Sequence, residues 1–323
     1  MMSKILHRNT FVEALPELHF FEGSWDGVES NPRVDIEQAV QLGAQLLCRI
    51  RRERNPKAET LAGFSAEVHG ILAKSGKQEL TGFDVYELVI RDVIGDREAQ
   101  RHCDQTPRNL YLLDALFEAF PKSQAIIMIR DPRAVMLSQK MKWKGKFVGP
   151  EKSVIPFSER VRRWANYHPI ITSSLWKAGV KAGNRVQSES RVRVQSFEQL
   201  LENPEKEIKE LCSFLNLKFS SEMLDVEGSL SPTQSSGIPD RGIDPTVKDR
   251  WRDKLSPVEI YWSERVNGEQ MQALGYSLTG VPPTILSQVA MYFMLPFKVG
   301  LAFALNLSQM ARFAAAFKRR FCR

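Results

Sequence analysis

The chain has 323 residues, 43% hydrophobic and 26% charged, the balance of a globular protein able to bury a full core. Its four cysteines (Cys48, Cys103, Cys212 and Cys322) are scattered without C-x-x-C spacing, which argues against a zinc site or a disulfide framework and fits a reducing compartment. The net charge of +7 sits at the end: no acidic residue follows Glu269, whereas Lys298, Arg312, Lys318, Arg319, Arg320 and Arg323 do, so the basic excess says nothing of nucleic acid.

Residues 1–22 lack the continuous apolar stretch of a secretory signal, and a cytoplasmic protein is expected. Residues 35–54 read as a helix, with Ile36, Val40, Leu46, Leu47 and Ile50 at helical spacing. Residues 83–93 are apolar enough for a second helix, and residues 109–120 predict an amphipathic helix that Pro121 ends. Residues 125–129 form a short, unalternating, β-branched run, the pattern of a strand covered on both faces. Asp131 is a natural N-cap and Pro132 a natural first helical residue, so Arg130 falls at a strand's carboxyl end beside a fresh helix N-terminus. Unpaired N–H groups, the helix dipole and a guanidinium fork there suit a phosphate or sulfate. Ser138, two turns on, adds a hydroxyl; the bland alternative is a strand-to-helix turn with Arg130 in a surface ion pair.

Residues 157–178 predict one long, partly basic helix carrying Trp164 and Trp176, and residues 191–197 a strand. Asn203 caps a helix that begins at Pro204 and runs to about Leu215. Residues 221–253 are rich in turn signals, and residues 257–274 predict a final body helix that Gly275 ends. Strands separated by helices imply a three-layer α/β domain with a parallel central sheet flanked by helices.

Several phrases fall in a definite order: Cys103-Asp-Gln-Thr-Pro-Arg-Asn109, Arg130-Asp-Pro-Arg133 with Ser138, Phe197-Glu-Gln-Leu-Leu-Glu-Asn-Pro-Glu205 leading into Leu211-Cys-Ser-Phe-Leu-Asn-Leu217, Arg250-Trp-Arg-Asp-Lys-Leu-Ser-Pro257, and Leu274-Gly-Tyr276. This order resembles the sulfotransferases that use 3′-phosphoadenosine 5′-phosphosulfate (PAPS), especially their bacterial and tyrosylprotein-like branch. The resemblance covers residues 1–276 and implies a P-loop nucleotide-binding-like fold, sulfuryl transfer from PAPS to a hydroxyl, and no metal. It implies that Arg130 and Ser138 hold the 3′-phosphate of the co-substrate. It implies that Arg250, with Lys248 sharing the role, lies in a loop closing over the nucleotide. Trp251 and Leu255 beside them read equally well as plain core.

The family's amino-terminal strand and phosphosulfate loop, of the form R-S-G-T-T, is missing before Met1-Met-Ser-Lys-Ile-Leu-His-Arg8, which looks like the helix that follows that loop. A late start or an inactive, truncated relative serving as a binding module both fit, the first being favoured. Counting on from that helix, Glu17 matches the carboxylate that looks like the general base of the tyrosylprotein branch, and His19 stands where that branch has an arginine. Glu17 or His19 would then deprotonate the acceptor, with a polar surface loop as the bland alternative. Gln105 departs from the lysine of an E-K-T-P phrase and brings no positive charge to the sulfate. Asp104 is a lesser acid–base or orienting candidate, and His102 reads as a loop histidine. A nucleotide kinase on the same core would need an upstream G-K-[ST] loop, and the spacing from Arg130 to Ser138 argues against it.

Residues 279–323 form an apolar, basic tail after a domain of residues 1–278. Two apolar runs, 289–297 and 299–307, are broken by Pro296 and Lys298, and neither reaches the ~18 residues of a spanning helix. Phe313, Phe317 and Phe321 repeat at helical spacing among basic residues, a pattern that suits a helix lying in an anionic membrane interface. A peripheral contact with the inner face of the membrane is therefore expected, and with it a small-molecule, glycan or lipid acceptor rather than nucleic acid. A helix folded onto the body and a true span are the alternatives.

Overall fold

The computed structural model describes residues 1–51, 58–95, 101–144, 147–148, 153–226 and 242–306. Contacts divide the chain into two compact units, residues 1–125 with 211–226, and residues 126–210 with 227–323. The structure is mixed α/β and mostly helical.

The first unit starts with α1 (Met2–His7) and β1 (Val12–Leu15). It continues through β2 (Arg33–Val34), α2 (Ile36–Ile50), α3 (Ala58–Ser75), β3 (Leu80–Thr81), α4 (Gly82–Ile94), β4 (Arg101–Asp104) and α5 (Leu113–Ala119). β1 and β4 pair in parallel, Val12 opposite Arg101 and Leu15 opposite Asp104, while β2 and β3 form a short antiparallel pair. Asp35 caps α2 by accepting the Gln38 N–H at 2.7 Å. Thr81 and Asp84 form a reciprocal capping box at the start of α4. The core is an aromatic stack. Phe20, Phe21, Trp25, Phe83 and Tyr86 are buried together with Leu42, Leu46 and Leu47, and the Phe21 and Tyr86 rings lie 4.6 Å apart. Gly82 allows this packing, since a Cβ there would run into the buried Trp25 indole.

The second unit contains β5 (Ala125–Ile129), α6 (Pro132–Lys144), β6 (Phe147–Val148), β7 (Ser153–Val154), α7 (Phe157–Asn166) and α8 (Pro169–Val186). Then follow β8 (Val192–Ser196), α9 (Phe197–Glu202), α10 (Pro204–Leu215), α11 (Trp251–Lys254), α12 (Pro257–Ala273) and α13 (Ile285–Leu305). α10 ends within the first unit. β5 pairs with β8, and β6 with β7 antiparallel. The inner side of α6 (Ala134, Met136, Leu137) packs on Tyr167, Trp251, Leu255 and Ile260, so Trp251 and Leu255 are core residues.

Several local expectations change. β5 has the expected bounds, yet only Ile127 along it is fully buried. The helix expected over residues 109–120 is a 3₁₀ segment, Pro107–Leu112, followed by α5; Pro107 sets the tighter first turn. The single helix expected over residues 157–178 is broken into α7 and α8. Tyr167 is extended, and Pro169 restarts the chain as the first residue of α8, with His168 Nδ1 accepting the Ile170 N–H. His102 lies in β4, not in a loop. The two tail runs are one continuous helix, α13, which passes through Pro296. The basic aromatic pattern of residues 313–323 and the turn signals of residues 227–241 lie outside the described residues.

Candidate active site

Each unit carries one polar cluster that includes residues singled out in the sequence. In the first unit the chain leaves β1 and places His19 in the left-handed region (φ 49°), a conformation uncommon for a residue with a Cβ. The strain is held by bonds. The His19 N–H donates to Thr106 Oγ1 at 3.0 Å. Thr106 in turn donates its N–H and hydroxyl to Asp104 Oδ1 at 2.9 and 2.6 Å, and Asn109 donates to Asp104 Oδ2 at 2.9 Å. Asp104 thus has both oxygens engaged, Oδ1 by Thr106 and Oδ2 by Asn109, an arrangement that fixes this turn. Gln105 accepts from the Ser3 hydroxyl at 2.6 Å.

The His19 ring is clamped between two carboxylates, Nε2 at 3.2 Å from Glu17 and Nδ1 at 2.6 Å from Glu22. Bonding to Glu17 first, then to Glu22, raises its pKa to about 9 against the opposing effect of burial. Such an imidazole favours its cationic form at neutral pH, which suits Glu17 better than His19 to the part of a base. The buried Glu22 also holds Arg108 at 2.5 Å. Burial pushes the Glu22 carboxyl up, but its bonds from His19 and Arg108 outweigh this and leave it below the usual range. Glu22 and Arg108 escaped the sequence reading. Their signals were an i,i+3 spacing from His19 and a guanidinium one residue after the Thr-Pro pair.

In the second unit Arg130 sits at the end of β5 as expected, with its backbone carbonyl held by Trp176 Nε1 at 2.9 Å. Its guanidinium stacks over the Phe197 ring at 4.2 Å and has one long bond, 3.4 Å, to the Val247 carbonyl. Its Nε is buried with no hydrogen-bond partner among the described residues. Burial lowers the Arg130 pKa, and the nearby Arg250 charge adds to that, against Glu198 and Asp131. Arg250 pairs with Asp244 at 2.6 Å and Lys248 with Glu202 at 2.5 Å. Ser138 is half-buried on α6.

At the N-terminus of α6 the Asp131 and Arg133 N–H groups are already used. Glu198 Oε1 accepts the Asp131 N–H at 3.0 Å, Asp131 Oδ1 accepts the Arg133 N–H at 2.8 Å, and Pro132 has none to give. Glu198 is itself fixed by the Tyr276 hydroxyl at 2.8 Å. Arg133, three residues from Arg130, plays a different part. It is 3% exposed and donates to Asp131 at 2.7 Å, to Glu264 at 2.8 Å and to the Ser277 carbonyl at 2.9 Å. It also covers the Trp251 ring at 4.0 Å.

Comparison with known proteins follows the same direction. A profile of the Sulfotransferase family matches residues 3–221. The chain is 27% identical over 130 residues to a "Putative protein-tyrosine sulfotransferase" of Caenorhabditis briggsae, 39% of this chain and 40% of that protein. It is 24% identical over 183 residues to "Nodulation protein NoeE" of Sinorhizobium fredii (strain NBRC 101917 / NGR234), 54% of this chain and 44% of that protein. The chain therefore spans about two fifths of the length of these curated relatives. Among solved structures, the sulfotransferase domain from the Synechococcus PCC 7002 olefin synthase is 17% identical, with a TM-score of 0.49 over 85% of this chain and 90% of that one.

Proposed function

The chain belongs to the sulfotransferase family, and on that premise we propose that it transfers a sulfuryl group from PAPS to a hydroxyl of a carbohydrate, lipid or other acceptor. Residues 1–278 are the transferase domain in this reading, and residues 279–323 an appended tail. Glu17 takes the acceptor proton as the hydroxyl oxygen attacks sulfur. The bond from sulfur to the 5′-phosphate oxygen breaks, and 3′-phosphoadenosine 5′-phosphate leaves. The His19 imidazolium, held between Glu17 and Glu22, orients Glu17 toward the acceptor from the position where that branch has an arginine. Such a step depends on positioning and electrostatic stabilisation, as in phosphoryl transfer.

Arg130 carries the reading. A half-buried guanidinium whose Nε is buried without a hydrogen-bond partner among the described residues, beside a second arginine, is a charge suited to an anion. We assign it to the 3′-phosphate with Ser138; Arg250, and more distantly Lys248, add charge on the nucleotide side. The test is calorimetric titration of 3′-phosphoadenosine 5′-phosphate into the wild type and into Arg130→Ala. Loss of charge-assisted bonds to phosphate is expected to weaken binding by about 10- to 100-fold. Equal affinity for the two proteins would overturn the assignment.

A further inference from the structure

α13 is built inside out. Its one lysine and the asparagine that ends it face the protein: Lys298 is 7% exposed and Asn306 3% exposed. Lys298 Nζ donates to the Trp164 and Tyr167 carbonyls at 3.1 and 2.8 Å, capping the end of α7 with a positive charge. The same ammonium lies 4.1 Å from the centre of the Trp164 ring. Asn306 accepts from Arg162 at 3.1 Å and donates to Asn166 at 3.1 Å, while His168 Nε2 meets the Met291 carbonyl at 3.2 Å.

The opposite side is apolar and open. Leu286 is 79% exposed, Phe293 76% and Phe297 59%. Their spacing of seven and four residues puts them on one stripe of the helix. Ile285, Val289 and Phe303 widen that stripe, all exposed. An exposed apolar strip of this length needs a partner. The chain supplies a clue to which: after Glu269 there is no acidic residue, and the 17 positions that follow Asn306 carry Arg312, Lys318, Arg319, Arg320 and Arg323. That charge is complementary to anionic lipid headgroups.

We propose that α13 lies in the plane of an anionic lipid surface, with Leu286, Phe293 and Phe297 sunk at the headgroup–acyl boundary and the Lys298–Asn306 side bound to the protein. α13 is 21 residues long and apolar enough to cross a bilayer. Crossing would tear Lys298 and Asn306 from their partners and carry an amine into hydrocarbon. The in-plane position keeps every one of those bonds. Burial lowers the Lys298 pKa to about 8, the direction expected of an ammonium withdrawn from water.

The inference is independent of the catalytic reading, and its test needs no turnover. The full chain is floated on a density gradient with vesicles of phosphatidylcholine alone and with vesicles containing phosphatidylglycerol. The wild type is expected to float with the anionic vesicles, less with the neutral ones, and to be stripped by alkaline carbonate. The variant Leu286→Ser/Phe293→Ser/Phe297→Ser is expected to keep its circular dichroism spectrum and Tm and to lose vesicle binding by at least about tenfold. A wild type that stays at the bottom with anionic vesicles, or a variant that floats equally, overturns the proposal. Resistance to carbonate would make α13 a span. Loss of vesicle binding together with a wild-type dimer that the variant converts to monomer on sedimentation would make the face a contact between two copies.

Discussion

The clamped imidazole of His19 is the most exposed part of the reasoning to direct measurement. Its pKa moves from an ordinary 6.5 to about 9, because Glu17 and Glu22 bond its two nitrogens. At about 1.4 kcal/mol for each tenfold change in a protonation equilibrium, such a rise corresponds to about 3 kcal/mol of stability. The ring is 35% exposed and Glu17 53% exposed, so water screens part of that and about 1–2 kcal/mol is expected. The pKa is raised on folding. The contribution is therefore complete below about 6.5, declines as the pH rises, and is gone above about 9. The chain has five histidines, few enough to follow one by one through the ring carbon–proton resonances between pH 5 and 10. Burial lowers the values of His102 and His168, so His19 should titrate well after them. In parallel, the Tm difference between wild type and His19→Gln should be largest near pH 6 and vanish above pH 9. A His19 resonance with its midpoint at or below 6.5 would refute the clamp and return the imidazole to the list of possible bases.

Arg133→Ala should destabilise by about 3–5 kcal/mol, because it strands the Asp131 and Glu264 carboxylates, 8% and 9% exposed, without a counter-charge; thermal unfolding reads this, and a Tm within a degree of wild type would show the triad to be slack. Arg130→Met should change stability by less than about 1 kcal/mol in either direction, since the guanidinium it removes is poorly bonded. Gly82→Ala should cost about 1–3 kcal/mol by driving a methyl group into Trp25, an effect visible as a lowered midpoint in urea. An unchanged midpoint would mean that the aromatic core yields freely at that point.

Much of the local structure is legible where chemistry marks the ends of elements. Asp131-Pro132, Asn203-Pro204 and Ser256-Pro257 each announce a helix start, and α6, α10 and α12 begin at those prolines. α3 is less plainly marked: Leu61, Phe64, Val68, Ile71 and Leu72 repeat at helical spacing, but Gly63 and Gly70 interrupt the pattern. The break between α7 and α8 was also readable, since Pro169 disfavours a helical His168. β1 and β4 are different. Val12–Leu15 and Arg101–Asp104 are four-residue strands with mixed polarity, and only their parallel pairing makes them strands. In the candidate site the polar residues could be named from the sequence, but which charge each meets could not. Glu22 meets His19 only because the chain turns left-handed at that histidine, and Thr106 makes that turn tolerable from 87 positions away.

The two arginines of Arg130-Asp-Pro-Arg133 show what separates a structural charge from one available to a ligand. They are three residues apart, both sheltered from water and both stacked on an aromatic ring. Arg133 has its Nε, Nη1 and Nη2 all bonded, against two carboxylates and a carbonyl. An added anion would find four of the five Arg133 side-chain N–H groups taken and two negative charges in its way. Among the described residues Arg130 has one long bond and an Nε without a partner, and the Arg250 charge works against its ionisation. Burying such a charge is unfavourable by itself. An anion seated on Arg130 would gain what the fold forgoes there; in the proposed reading that deficit, more than the helix terminus beside it, is what would favour a phosphate.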